Sequence, residues 1–449
     1  MSKKKGKKKK TIGKKEFLFT FISIILLITL AIYYGARSLY YYSRQSNTQQ
    51  SSRLADKIIS NNKITTEKDG FHQENDGYIF KGNVTNNYVK FSNRLYRIIK
   101  VYNDNSIKIV SESNDSIIIW GDDITYSKSN LYSWLNKTVD NTGIYYDTIP
   151  NISLLKKTKY KENKLLNSKI KESKTEYNDY VSTLTINDYI NVGGKNSYLK
   201  NGKYFWLIGY DKDNSNLYVD ETGSIETATN YEAYGLRAVI TLKKNIKMTT
   251  GLGLVDDPYI IDQEGNDNFI DKYVKLGNDV WKIYSDVNNI LKLSLNGYIT
   301  INNAEYESIY SKTTSEFNPN NKYNIAYYLN KTYYNSLPYK SVLLDNIYPT
   351  GEISNDTGLN MLNIYTDTTT SKVGMPSIFD YNTNSNLNDY FLSNTTSTTV
   401  GSMVYVYNNL GLLNEDKVTE KKHIVPTISI NKQILKSGEG TLESPYVVE

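Results

Sequence analysis

The strongest constraint on this chain is that much of it occurs twice. Tyr88-Val89-Lys90-Phe91-Ser92-Asn93 is echoed by Tyr273-Val274-Lys275-Leu276-Gly277-Asn278. Residues 130–138 (NLYSWLNKT) are echoed by 324–332 (NIAYYLNKT), and Ile186-Asn187-Asp188-Tyr189 by Ile378-Phe379-Asp380-Tyr381. Gly251, Gly253, Pro258 and Tyr259 are echoed by Gly438, Gly440, Pro445 and Tyr446. The offsets are 185, 194, 192 and 187, all collinear, which reads as a tandem duplication. The copies span 76–262 and 263–449, each the size of one globular domain, with the boundary near 262–268.

Ahead of the copies the chain changes character. Residues 1–15 hold nine Lys and no acid, and removing these nine from the net charge of +6 leaves the remainder at −3. A basic surface for nucleic acid is therefore not expected. The tail 1–16 abuts residues 17–36, twenty residues without a charge. As a helix they span roughly 30 Å, the thickness of a hydrocarbon core. Tyr33, Tyr34 and Tyr40 to Tyr42 sit where an interfacial aromatic belt belongs, and the Lys flank places the N-terminus in the cytoplasm. An uncleaved signal anchor is expected; a cleaved signal peptide is the alternative, although Tyr34 fits a small-residue cleavage pattern poorly. Residues 37–75 read as an extracellular stalk, polar over 43–70, with helical spacing at Leu54, Ile58 and Ile59.

Within the first copy, 88–91, 95–101 and 106–111 read as short strands, matched by 273–276, 280–284 and 290–295. Leu131, Trp134 and Leu135 form the stripe of a short buried helix, as do Ile325, Tyr328 and Leu329. A hairpin is expected from 204–209 and 217–220, and apolar strands at 237–242 and 424–430. Strands around a few short helices make each copy α+β.

Trp206, Gly223, residues 235–242 (GLRAVITL) and the Gly-rich 251–260 resemble uncharacterised bacterial cell-surface domains. Those domains carry a Trp-Leu segment, then Gly-Val-Arg-Pro-Val-Ile-x-Leu, then a Gly-rich turn ending in Pro-Tyr. The resemblance implies a fold of the C-type-lectin and formylglycine-generating-enzyme group, on an envelope protein. Ala238 departs from the family Pro, and the second copy keeps Pro426 but has Val425 for the Arg. The Cys on which formylglycine-generating enzymes depend and the lectin sugar motifs are missing, so neither chemistry carries over.

The chain has no Cys and two His, His72 and His423, so thiolate, zinc-ribbon and histidine-relay chemistry have little to work with. No catalytic residue, cofactor or metal site is expected. Asp211 to Asn216 alternates oxygen ligands but lacks a calcium loop's Gly and Glu, and reads as a polar turn. Asp122-Asp123 and Asp256-Asp257 read as solvated turns, and Gly251-Leu252-Gly253 lacks the third Gly of a phosphate loop. Arg237, one of six Arg, interrupts an apolar strand and is expected in a structural ion pair. Tyr, at 42 residues, is the compositional outlier. Tyr145-Tyr146, Tyr327-Tyr328 and Tyr333-Tyr334 are expected to be exposed, suited to stacking on sugars or to protein contacts. Tyr145, Tyr146, Trp206 and Arg237 are the ligand-contact candidates. These features point to a membrane-anchored surface protein, inserted through 17–36, whose paired domains bind glycan, envelope polymer or a protein partner. An architectural envelope scaffold is the alternative, and an ectoenzyme the third reading.

Overall fold

Ser92 and Asn93 both take positive φ, 50° and 64°, closing a two-residue turn that pairs Tyr88–Phe91 with Arg94–Tyr102. Such a turn matches the natural strand twist, and Asn tolerates it better than most side chains. Gly277 makes the equivalent turn in the second copy, between Tyr273–Leu276 and Asp279–Val287. The computed structural model describes residues 52–448 except 138–142, 150–151, 168, 231, 263–268, 351–367, 379, 382–383, 385, 396–402 and 408–409. Before residue 52 it describes Ser23, 26–30 and 33–35.

From one edge, the first large sheet runs Ser52–Arg53, Lys247–Thr250, Tyr259–Ile261, Tyr88–Phe91, Arg94–Tyr102, Ile107–Ser111, Ala238–Leu242, Val181–Thr183. The other runs Leu435–Ser437, Tyr446–Val448, Tyr273–Leu276, Asp279–Val287, Ile290–Leu295, Thr427–Asn431, Val373–Gly374. From the second strand of the first sheet onward the orders match. The match extends to the parallel pairing of each Pro-Tyr strand, Tyr259 with Val89 and Tyr446 with Val274. Each copy adds a smaller sheet: Phe205–Tyr210 lies parallel to Ala233–Leu236, and Tyr390–Thr395 parallel to Lys421–His423.

The Gly-x-Gly segments have a backbone cause. Gly251 and Gly438 adopt φ of 113° and 100°, and a Cβ on either would run into the carbonyl of Pro258 or Pro445. Only glycine fits so close an approach at that φ.

Strands dominate, and the helices are few and short. Asn130–Leu135 is capped by Ser129, whose Oγ accepts the Tyr132 N–H at 3.2 Å, and buries Leu131, Trp134 and Leu135. Its counterpart is broken into Ile325–Tyr327, a π-turn over Tyr328–Tyr333, and Tyr334–Ser336. Ile107–Ser111, Ser116–Ile119 and Ala238–Leu242 are buried at every position, so both faces of these strands are covered. All four Trp lie in the interior.

Contacts divide the chain into Met1–Ser51 and Ser52–Glu449, the second holding both copies in one compact body. This corrects the stalk. The spacer expected up to residue 75 is folded from Ser52 on. Ser52–Arg53 pairs with Lys247–Thr250, and Gly70–Glu74 pairs with Gly77–Lys81 on the first sheet. Leu54–Asn61 is a helix with Leu54, Ala55 and Ile58 buried. Asn62 fixes its end, donating to the Ile58 carbonyl at 2.8 Å and accepting from Asn86 at 2.7 Å.

The Lys-rich tail 1–16, the belt tyrosines Tyr40 to Tyr42, most of 17–36 and residues 263–268 lie outside the described residues. The described part of 17–36 is helical. Among the described residues, no helix is long and apolar enough to cross a membrane.

If the 54–61 helix belongs to the core, Ile58→Ala should lower the unfolding free energy by about 2–5 kcal/mol. Urea unfolding reads this directly, and a change within about 0.5 kcal/mol would return the segment to the role of spacer.

Candidate functional site

The four ligand-contact candidates do not form a surface. Trp206 is fully buried, its Nε1 donating to the Ile118 carbonyl at 2.7 Å, with Trp120 edge-on at 5.3 Å. Arg237 is also fully buried, and the expected ion pair is absent among the described residues. Its Nε and Nη1 donate instead to the carbonyls of Ser111 (2.9 Å) and Leu199 (2.6 Å), and the cation lies 5.0 Å from the Phe205 ring. Burial lowers its pKa. Tyr145 is buried and Tyr146 half-buried. The other expected surface tyrosines fare the same: Tyr333 is buried, and Tyr327, Tyr328 and Tyr334 are half-buried.

The physical reason is that these rings pack inside while their hydroxyls find buried acceptors. Tyr132 and Tyr160 both donate to Asp179, Tyr177 to Glu162, and Tyr198 to the Ile98 carbonyl. Tyr33, Tyr34 and Tyr323 are the exposed tyrosines among the described residues.

The remaining motifs behave as turns. Asp211 Oδ1 accepts the N–H groups of Asp213 and Ser215. The Lys128 ammonium and the Thr125 hydroxyl and N–H hold the Asp123 carboxyl down at about 2. His423 stacks on Tyr298 at 4.2 Å with Glu305 at 3.3 Å, and no cluster that could hold a metal occurs among the described residues.

What the fold does assemble is a polar cleft of about 170 Å³ where the two copies meet, lined by Arg94, Glu112, Asn114, Asp115, Lys282 and Tyr381, among others. The register that pairs Tyr96 with Ser111 brings Arg94, at the start of its strand, beside the 112–115 segment. The second copy supplies the opposite wall. Asp271 Oδ2 accepts from Arg94 Nε at 3.0 Å and from the Tyr381 hydroxyl at 3.0 Å, while Lys282 Nζ lies 3.1 Å from Oδ1. The Arg94 cation also lies 4.0 Å from the Tyr381 ring centroid and 4.9 Å from that of Tyr145. Tyr145 bonds Tyr96 hydroxyl to hydroxyl at 2.8 Å, so one of the four sequence candidates does reach this cluster. A neighbouring cavity of about 250 Å³ shares Tyr381 and is also lined by Asp147, Ile270, Tyr284 and Asp380.

The electrostatics follow from burial. The Arg94 side chain is 4% exposed. Burial works against its charge, but the surrounding Tyr381, Tyr145, Tyr96 and Asp271 oxygens outweigh it and keep its pKa well above the usual value. Its two Nη atoms have no hydrogen-bond partner among the described residues; Glu112 Oε2 and Asn114 Oδ1 are likewise buried without one. Burial without a hydrogen bond is costly for such groups, and Glu112 Oε2 keeps an ion pair with Arg97 Nη1 at 3.8 Å. Burial pushes the Asp115 carboxyl up to about 6, although nearby Arg94 and the Ala238 N–H (2.8 Å) pull the other way.

Comparison with known proteins finds no matching family model, no similar curated protein and no similar solved structure.

Sequence reasoning passed over Arg94, Asp271 and Tyr381 because the three lie far apart along the chain. The available signal was Arg scarcity: three of six Arg (Arg94, Arg97 and Arg237) fall on first-copy strands or beside one.

Asp115 gives a test with a defined sign. Its folded pKa lies above the unfolded value, so its contribution is fully present below about pH 4 and is lost as pH rises through about 6. Asp115→Asn should therefore gain on the wild type between pH 4 and 6 in urea unfolding. A difference that stays constant over that window would contradict a buried, proton-retaining carboxyl.

Proposed function

We propose that the chain is a single-pass surface protein, anchored through 17–36 with the N-terminus in the cytoplasm and 37–449 outside. Its folded part is read as a tandem duplication of a strand-rich domain that binds a ligand without catalysis. The matching strand orders of the two large sheets support the duplication. The Lys-rich tail followed by twenty uncharged residues supports the anchor. The likeness to bacterial surface domains of the C-type-lectin and formylglycine-generating-enzyme group belongs to the same reading.

The observation that carries binding is the inter-copy cleft, a space of about 170 Å³ lined by charged and polar side chains of both copies. The ligand would be glycan, envelope polymer or a surface protein that offers polar groups to it. The copies have diverged at this place. The turn geometry puts Asp279 where the first copy has Arg94, and the repeat puts Lys282 where it has Arg97. One shared site between unlike copies fits this better than two equal sites.

The architectural reading has its own support, since the tyrosines are largely consumed in packing. The two are separated by capture of the full chain, in detergent, on purified cell wall, a glycan panel and surface extract. Saturable capture that falls at least tenfold with Glu112→Gln, a half-exposed cleft residue, is the expected result. Capture only of itself or of protein, indifferent to that change, would favour the scaffold.

A further inference from the structure

The charge of −3 beyond residue 15 hides a local excess. Residues 156–174 hold eight Lys against two Glu, a net +6, so the rest of the chain after residue 15 sums to −9. The excess belongs to one copy. Between the Asn-Lys-Thr and Ile-x-Asp-Tyr landmarks, the first copy has eight Lys (139–185) and the second has two (333–377).

The fold spreads these lysines over the outer faces of two small ribbons. Thr158–Lys161 pairs with Glu176–Asp179, and Tyr160 opposes Tyr177 on the side turned to buried Tyr126. Side chains alternate along a strand, so Lys159 and Lys161 point outward. Lys164–Leu166 pairs with Lys169–Lys171 at the edge of the first copy's smaller sheet, with Leu165 opposite Ile170 and both against the core. Lys164, Lys169 and Lys171 therefore share the outer face, and Lys164 stands directly opposite Lys171. Like charges so placed repel. Lys161 Nζ reaches Glu172 at 2.7 Å, which links the two ribbons.

Local acids answer only part of this charge. Lys156 pairs with Asp104, Lys159 with Glu176 and Lys161 with Glu172, all at the surface, where such pairs hold weakly and yield to a competing anion. Lys157, Lys164, Lys169, Lys171 and Lys174 have no carboxylate at ion-pair distance among the described residues. Lysines also keep an edge strand from pairing with another chain. That role gives no reason to place Lys rather than Glu opposite Lys164.

We infer that this face binds a linear polyanion, a chain of repeated phosphate or carboxylate groups, by ion pairing. Lys offers a point charge rather than a planar fork, so it follows a row of anions without demanding one geometry. A membrane surface suits the face less, because none of the described large apolar side chains in 156–179 is exposed to enter it. Single-stranded nucleic acid suits it less, because Tyr160 and Tyr177, the rings that would stack on bases, face inward. None of these lysines lines the inter-copy cleft, so the inference goes beyond the cleft reading and does not depend on it.

Calorimetric titration of the full chain in phosphatidylcholine nanodiscs tests this with long-chain inorganic polyphosphate and with polyglutamate. In every chain used, the nine tail lysines are replaced by Gln, so that residues 1–15 add no anion binding of their own. At least one polymer should bind saturably, and its affinity should fall at least tenfold between about 50 and 200 mM salt as counterions are released. Lys164→Gln, Lys169→Gln and Lys171→Gln together should weaken it at least tenfold. Urea unfolding of that variant should show no loss of stability, because the Lys164–Lys171 repulsion is gone. Lys275→Gln, Lys331→Gln and Lys436→Gln, at exposed positions of the second copy, remove the same charge and should change binding less than about threefold, as should Glu112→Gln. Equal losses in the two triple variants would reduce the effect to net charge and overturn the site. Tighter binding to vesicles of equal parts phosphatidylcholine and phosphatidylglycerol, or to single-stranded oligodeoxythymidine, would overturn the polymer. Failure of both polymers, with envelope capture that still falls on Glu112→Gln, would overturn this face and leave the cleft reading standing.

Discussion

A guanidinium that is 4% exposed stays charged only if oxygen atoms surround it, and at Arg94 those oxygens come from both copies. Asp271 supplies the ion pair, Tyr381 a ring face and a hydroxyl directed at the same carboxylate, and Tyr145 a second ring. Arg94 is fixed by the Ser92-Asn93 turn, and Asn93 itself donates to the Ile270 carbonyl at 3.2 Å. The turn, Asp271 and Tyr381 thus meet at one buried charge. The Tyr381 hydroxyl and the Lys282 ammonium also reach the Asp271 carboxylate, as burial of charge requires. The cleft is what remains between these fixed walls.

The same cluster explains why the copies do not behave as beads on a string. Ser116 Oγ donates to the Ile378 carbonyl at 3.2 Å, and the Tyr204 N–H donates to the Leu410 carbonyl at 2.9 Å. Tyr234 and Leu412 form a β-bridge. These contacts join smaller-sheet strands of the first copy to segments of the second, 262 residues apart at the widest. The matched positions differ in chemistry: His423 pairs with its parallel strand as Gly235 does with its own, and Val425 stands two residues on where the first sheet region has Arg237.

Much of the framework was legible because it is local. Two-residue turns, period-two runs and the Gly-Gly…Pro-Tyr ending each follow from a few neighbouring residues, and their strands form within three residues of the expected limits. The helical stripe at Leu131, Trp134 and Leu135 was legible for the same reason, and all three are fully buried. The failures are nonlocal. Leu54 and Ile58 show helical spacing in a polar stretch, but only the Ile246 carbonyl and the edge strand at 247–250 make that stretch part of the core. Arg237 looked ionic from its apolar surroundings, yet two carbonyls and a ring meet it in place of a carboxylate. Tyrosines read as surface because of their polar tip, and nothing local reveals that Asp179, Glu162 or Asp271 will be waiting inside. Among the site residues only Tyr145 was singled out from sequence, and for an exposed role that it does not have.

The central claim is that Arg94 and Asp271 act together to hold the copies and shape the cleft, and a double-mutant cycle measures this most directly. Unfolding free energies would be determined for the wild type, Arg94→Met, Asp271→Asn and the double variant. Asp271→Asn should cost about 3–5 kcal/mol, because it strands the buried Arg94 charge, and Arg94→Met should cost less, because Lys282 still pairs with Asp271. The double should cost less than their sum by about 2 kcal/mol or more. Strictly additive losses would contradict the account, leaving the two residues as neighbours that do not depend on one another.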